Sequence, residues 1–286
     1  MDFRNAQELL ALCEEHQLPI SEIMRQREIT VGESTADSVD SQMKRVLEIM
    51  KDAAFSPIKS PVKSMGGLIG GEAQKLSRHI ASGRGICGDV LEKAITYAMA
   101  TLETNASMGL IVASPTAGSA GIVPGLLLAL QEVYHFSDKE TEKVLFNAGA
   151  IGYLAMRNAT VAGAVGGCQA ETGVAAAMAA STATELMGGT PLQCTYAAST
   201  VLMNMLGLVC DPVGGLVECP CQMRNASGVA NALTAAEIVL SGVRQLIPFD
   251  EMLDAMYTAG KRLPAEYRET ALGGCAATST GCSLCQ

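Results

Sequence analysis

Residues 169–206 read QAETGVAAAMAASTATELMGGTPLQCTYAASTVLMNML, and this stretch decides the fold. It holds two helical patterns, 169–187 and 191–206, with punctuation at residues 188–191. Gly188 and Gly189 end the first helix, because glycine accepts the left-handed backbone of a helix C-terminus. Thr190 can cap the second helix, and Pro191 suits its first turn, where a missing N–H loses no bond. The interiors are Ala, Leu and Met, without the alternation of β-branched residues that marks a strand.

The same pattern recurs outward from this pair, over about 70–81, 87–103, 121–134, 138–156, 225–243 and 249–262. At the start of the chain Asn5 can cap a helix to about Glu15, and Ser21 a second to about Thr30. A third, over about 36–54, places Val39, Met43, Val46, Leu47 and Met50 on one face. Ser56-Pro57-Ile58-Lys59-Ser60-Pro61 then reads as a linker, since two prolines favour extended backbone. The expectation is an all-α chain: a small helical N-terminal region over 1–60 and a helical bundle over 61–286.

The 286 residues are 49% hydrophobic but only 4% aromatic, with no Trp, so the core must be Ala, Leu, Ile, Val and Met. Fifteen Met and 29 Gly suit helices that pack closely through small contact residues. A net charge of −9 repels phosphate backbones, so no nucleic-acid partner is expected. The longest apolar run, Gly121–Leu130, is too short to span a bilayer and contains Pro124. Met1-Asp2-Phe3-Arg4 leads directly into a polar helical pattern, with no apolar leader, so a cytoplasmic, membrane-free chain is expected. In that compartment the ten cysteines stay reduced, and most fill small apolar positions.

Three cysteines stand apart. Cys168 follows Gly166-Gly167 immediately before an Ala-rich helix, whose N-terminus favours a thiolate. Cys210 lies in Leu208-Val209-Cys210-Asp211-Pro212-Val213-Gly214-Gly215, and Cys221 in Cys219-Pro220-Cys221-Gln222-Met223-Arg224-Asn225, just ahead of another helix. Three thiolates suit zinc or an iron–sulfur cluster, although the short-spaced ligand pairs of structural zinc are absent. Spacings of 42 and 11 residues make no generic motif, so three unrelated core cysteines stay open at this level.

Ala113-Ser114-Pro115-Thr116-Ala117-Gly118-Ser119-Ala120-Gly121 runs into a helix at Ile122. Hydroxyls and free amides there make an anion site suited to a small carboxylate, with Ser114, Thr116, Gly118 and Ser119 as candidate contacts. Neither a P-loop nor GxGxxG is present, and a capped turn without ligand is the plain alternative. His16, His79 and His135 are scattered, Cys13, Cys87 and Cys194 fit packing positions, and Cys282-Ser283-Leu284-Cys285 is a CxxC without a thioredoxin-like context.

Taken in order, Ser114–Gly121, Gly166–Glu171, Cys210–Gly215 and Pro220–Asn225 resemble successive signatures of the iron–sulfur-dependent L-serine dehydratases. Tyr267-Arg268-Glu269-Thr270 with Gly273-Gly274 resembles that family's C-terminal signature, and the likeness to the α subunit of its two-chain bacterial form covers nearly the whole chain. The resemblance implies a mostly helical catalytic domain and a [4Fe–4S] cluster on Cys168, Cys210 and Cys221, with no PLP. It implies that L-serine meets an open iron, loses its α-proton and hydroxide, and yields aminoacrylate, which becomes pyruvate and ammonia. It also implies a Ser-His-Thr segment, which none of the three histidines here matches, so a β subunit is expected to supply that part. Some relatives place a C-terminal Cys on the open iron; Cys282 and Cys285 are the candidates here. A cluster-dependent cysteine desulfidase and a zinc-binding protein without activity are the competing readings.

Overall fold

The computed structural model describes residues 1–284, and these are helical throughout, joined by turns and short 3-10 segments. Three helices open the chain: α1 (Ala6–His16), α2 (Ile20–Thr30) and α3 (Ala36–Lys59). After a loop come α4 (Glu72–Ala81), α5 (Asp89–Ala106), α6 (Ile122–Tyr134) and α7 (Asp138–Asn158). The one-turn α8 (Gly163–Gly166) leads through a π-helical turn, Gln169–Gly173, into α9 (Val174–Leu186). Then follow α10 (Pro191–Asn204), α11 (Cys221–Leu240), α12 (Phe249–Lys261) and the short α13 (Ser279–Ser283). The all-α expectation holds.

α9 is the central helix, enclosed by α6, α7, α10 and α11, and every residue from Val174 to Thr184 is buried. Its alanines let four neighbours approach at once, which larger side chains would prevent. The punctuation ahead of α10 is realised as a capping box: Thr190 accepts from the Gln193 amide while Gln193 returns a bond to the Thr190 amide. α6 crosses α5 closely because Gly121 and Gly125 present bare backbone. A Cβ on Gly121 would lie 2.3 Å from the Ala98 carbonyl, and one on Gly125 2.8 Å from that of Ala94. The stretch Ala117–Tyr134 is apolar and long enough to cross a membrane, but two thirds of it is packed inside the fold, as a core helix requires.

The N-terminal helices share this core. Phe3, Leu9, Ile20 and Ile23 are fully buried and belong to the same apolar cluster as Ile151 and Leu154. The Asp250 carboxylate of α12 accepts the Ala6 amide at 2.9 Å, tying α1 to the far end of the chain. Two local expectations differ from what is observed. Ser21 is not a cap: α2 starts at Ile20, and the Ser21 amide donates instead to Glu185 of α9. The expected linker at 56–61 is helical as far as Lys59, with Pro57 inside α3. Pro57 leaves the Ala53 carbonyl without its N–H partner, and Thr104 Oγ1 of α5 donates to that oxygen at 2.8 Å. A tertiary hydrogen bond thus replaces the missing helical one, and the chain turns away only beyond Lys59.

Candidate active site

Each of the three singled-out cysteines is fixed by backbone geometry of its own. Cys168 follows Gly167, whose φ of +75° a side chain would resist. The next residue, Gln169, is buried and pins the turn: its amide nitrogen donates to the carbonyls of Gly166 and Met256, at 2.8 and 3.0 Å. Its side-chain oxygen accepts the Gly207 amide at 2.8 Å, and its own backbone N–H donates to Leu208. One glutamine therefore holds the Cys168 turn to α12 and to the segment leading into Cys210.

Cys210 forms a single parallel bridge with Arg268, donating its amide to Tyr267 and accepting from the amide of Glu269. This bridge brings the C-terminal signature onto the site. Asp211 is buried behind it, paired with Arg224 at 2.7 Å and accepting the Cys275 amide at 2.6 Å. Gly274 lies against this carboxylate with a φ of +57°, and a Cβ there would sit 2.0 Å from Asp211 Oδ2. Cys221 is the first residue of α11 rather than one that precedes it; the helix starts four residues earlier than its periodicity suggests. Arg224, one turn on, donates to the Val209 carbonyl at 2.8 Å.

These elements enclose one small cavity of about 20 Å³, lined by Cys168, Cys210 and Cys221 together with Gly118, Glu171, Thr172, Asp211, Pro212, Val217, Arg224 and Glu269. As it stands, that is roughly the room of one water. The Cys168 thiol is 2.9 Å from Thr172 Oγ1, and the Cys210 thiol 3.5 Å from Glu171 Oε2. A Cβ on Gly163 would come 2.4 Å from Glu171 Oε2 and 3.0 Å from Cys210 Sγ, so the wall needs glycine there. Among the described residues no three His, Cys, Asp or Glu side chains stand ready to hold a single metal ion. The trio is thus not a preformed mononuclear site, while its three thiols remain the set able to hold a larger group.

Burial dominates the electrostatics. It raises the thiol pKa of Cys168 and Cys210, and pushes that of Cys221 up to about 12. Burial likewise raises the Glu171 carboxyl, assisted by the charge of Glu269 and opposed by hydrogen bonds from Thr116 and Cys210 and by Arg224. Among the described residues on the cavity wall Arg224 is the one cation, and its charge favours the thiolate of Cys168.

The 114–121 loop reaches the cavity differently from the expectation of free donors. Gly118 lines the wall, and Thr116 Oγ1 donates to Glu171 Oε1 at 3.0 Å while lying 3.1 Å from Ser119 Oγ. Ser119 is fully buried, and the buried Ser114 hydroxyl has no hydrogen-bond partner among the described residues. Asn225 locks the loop onto α11, accepting from the Gly121 amide and donating to the Gly118 carbonyl. Cys282 lies on α13, outside the cavity wall, with its thiol donating to the Ala276 carbonyl; Cys285 is outside the described residues. None of the three histidines lines the cavity: His16 ends α1, His79 lies in the last turn of α4, and His135 caps α6.

Glu171, Asp211, Arg224 and Glu269 were not singled out by sequence reasoning. For two of them a signal existed: Glu171 follows Cys168 by three residues and Arg224 follows Cys221 by three, the spacing that puts side chains on one helical face. Glu269 lies in the quoted C-terminal signature but has no helical spacing to a cysteine, and the bridge at Arg268 brings it to the cavity wall.

Known proteins resemble this chain along nearly its whole length. The family model described as serine dehydratase alpha chain matches residues 15–276. A probable L-serine dehydratase alpha chain of Bacillus subtilis (strain 168) is 47% identical over 282 residues, covering 99% of this chain and 94% of the relative. The L-serine dehydratase alpha chain of Peptoniphilus asaccharolyticus is 42% identical, over 96% of this chain and 94% of its own length. An L-serine dehydratase of Helicobacter pylori (strain ATCC 700392 / 26695) is 36% identical over 97% of this chain, but the match spans only 62% of that longer protein. With the family model covering most of the chain and relatives aligned nearly end to end, this chain belongs to the serine dehydratase alpha chain family.

Proposed function

We propose that this chain is the α subunit of an L-serine dehydratase, a lyase that converts L-serine to pyruvate and ammonia with a [4Fe–4S] cluster on Cys168, Cys210 and Cys221 and without PLP. One observation carries the reading: three thiols from three separate junctions line one cavity, in a chain of this family. The donor set suits the cluster, since thiolates are its ligands, and Gly163 and Gly118 keep the walls to bare backbone beside Cys210 and Glu171.

When bound, a cluster on three thiolates leaves one iron open as a Lewis acid, able to neutralise the charge of departing hydroxide. The rest falls to the protein. Arg224, held by Asp211 and the Val209 carbonyl, fixes a positive charge where anionic thiolates and a substrate carboxylate gather. Gly118 and its neighbours offer the substrate a wall of backbone, immobilised by Asn225. Glu171 is oriented by Thr116, and burial favours a proton on its carboxyl within the cavity. The overall reaction balances as loss of water from serine to aminoacrylate, tautomerisation to the imine, and hydrolysis to pyruvate and ammonia.

The same reading includes a second polypeptide, the β subunit, in a cytoplasmic enzyme. It is supported by the alpha-chain designation of the relatives matched end to end and by the extra length of the Helicobacter pylori protein. The test is anaerobic purification with iron and sulfide analysis, a visible spectrum and pyruvate assay. Cys168→Ala, Cys210→Ala and Cys221→Ala should each abolish visible absorption and turnover, whereas Cys13→Ala, in the core beside α2, should keep both. A cluster-loaded, active Cys210→Ala protein would overturn the assignment; sulfide release from cysteine without pyruvate from serine would transfer it to a desulfidase.

A further inference from the structure

We infer that Met65, Met108, Leu110 and Leu216 form the docking face for the second polypeptide, an inference that rests on the two-chain reading above. These side chains are 75, 78, 65 and 40% exposed. They belong to three loops that adjoin one another and the cavity. The Met65 amide donates to the Ala106 carbonyl at 2.8 Å, drawing the 62–70 loop onto the end of α5, two residues before Met108. Leu216 packs on the same loop, since a Cβ on Gly66 would lie 2.2 Å from its Cδ1. Leu216 precedes Val217 of the cavity wall, and Leu110 leads through a short irregular segment into the loop that carries Gly118.

The collar is rigid as well as apolar. The buried Glu218 carboxylate accepts the Ser64 hydroxyl at 2.7 Å and the amides of Gly66 and Leu68 at 2.7 and 2.9 Å. These three hydrogen bonds hold the Met65 loop in shape before any partner arrives, which lowers the entropy lost on association. Four such side chains leave on the order of 400 Å² of apolar surface, the size of patch that marks an interaction site. A standard interface takes about 800 Å² from each partner, somewhat over half of it apolar, so the collar provides most of the apolar part of one such face. Ile86 and Leu246, 94 and 86% exposed, lie on other loops, between α4 and α5 and between α11 and α12.

The occupant is the polypeptide matching the part of the longer relatives that lies outside this chain's match. Produced from the same organism, that polypeptide is the probe. The full α chain and its Met108→Asp/Leu110→Asp variant are titrated with it anaerobically by calorimetry and by size-exclusion chromatography with light scattering. Both substitutions are at exposed positions, and Asp suits the φ of +65° at residue 108, so the thermal midpoint should be unchanged. Affinity should fall at least 100-fold in this variant, while Ile86→Asp/Leu246→Asp should bind as wild type does. Amide exchange over 106–112 in the unsubstituted complex should slow relative to the free chain, a readout independent of any variant. Wild-type affinity in the collar variant, or unchanged exchange over 106–112, would overturn the proposal. If the unsubstituted chain does not bind the second polypeptide at all, the two-chain reading itself fails. A wild-type α dimer dissolved by Met108→Asp/Leu110→Asp would assign the collar to a second copy and overturn the occupant named here.

Discussion

Gln169→Ala should loosen the site without touching a thiol. The side chain is 1% exposed and makes three hydrogen bonds, two to carbonyls and one from an amide. Removing it leaves the Gly166 and Met256 carbonyls without this donor inside the protein, each at about 1–3 kcal/mol, whereas water can reach the exposed Gly207 amide. Some relaxation is expected, so the net loss should be about 2–4 kcal/mol. For a chain of this size that corresponds to a fall of roughly 4–8 °C in the thermal midpoint. The assay is thermal and urea unfolding of the apo protein, which keeps cluster loss out of the comparison. Cysteine reactivity in the native state adds a local readout. Cys168 should become more accessible to an alkylating reagent than in wild type, while Cys194 in the core should not. A midpoint shift under about 2 °C, with unaltered Cys168 labelling, would refute the view that Gln169 pins this turn.

Thr104→Val should cost about 1–2 kcal/mol by orphaning the Ala53 carbonyl. The cost should shrink in a Pro57→Ala background, where α3 regains its own N–H donor; equal costs in both backgrounds in urea titrations would reject this coupling. Glu103 is buried, with burial raising its pKa and its Oε2 without a hydrogen-bond partner among the described residues. Its folded pKa lies above the unfolded one, so its favourable contribution is complete below the unfolded pKa and is lost as pH rises through the folded value. Glu103→Gln should therefore gain on wild type between acidic and neutral pH in urea midpoints, and a constant difference across that range would contradict the sign. Thr116→Val removes the bond that orients Glu171, and should weaken serine binding by about 1.5–3 kcal/mol with no change in the visible spectrum. Unchanged kinetics would return the loop to a structural turn.

The helices were legible because they are local. Gly188-Gly189-Thr190-Pro191 marks one boundary by backbone chemistry alone, and the structure realises it as a capping box. Apolar spacing, scarce β-branched alternation and an aromatic-poor composition were enough to specify an all-α core. The three cysteines stood out because each lies in a Gly- or Pro-rich junction. What only the tertiary structure decided depends on partners distant along the chain. Pro57 stays inside a helix because Thr104, 47 residues later, accepts its consequence. The hydroxyl of Thr116, which reads as a free substrate donor, is engaged by Glu171. Asp211, Arg224 and Glu269 become one site through a bridge between Cys210 and Arg268 and an ion pair from α11. Local propensity reports on a few neighbouring residues, whereas burial, pairing and charge depend on which distant segments the packed core brings together.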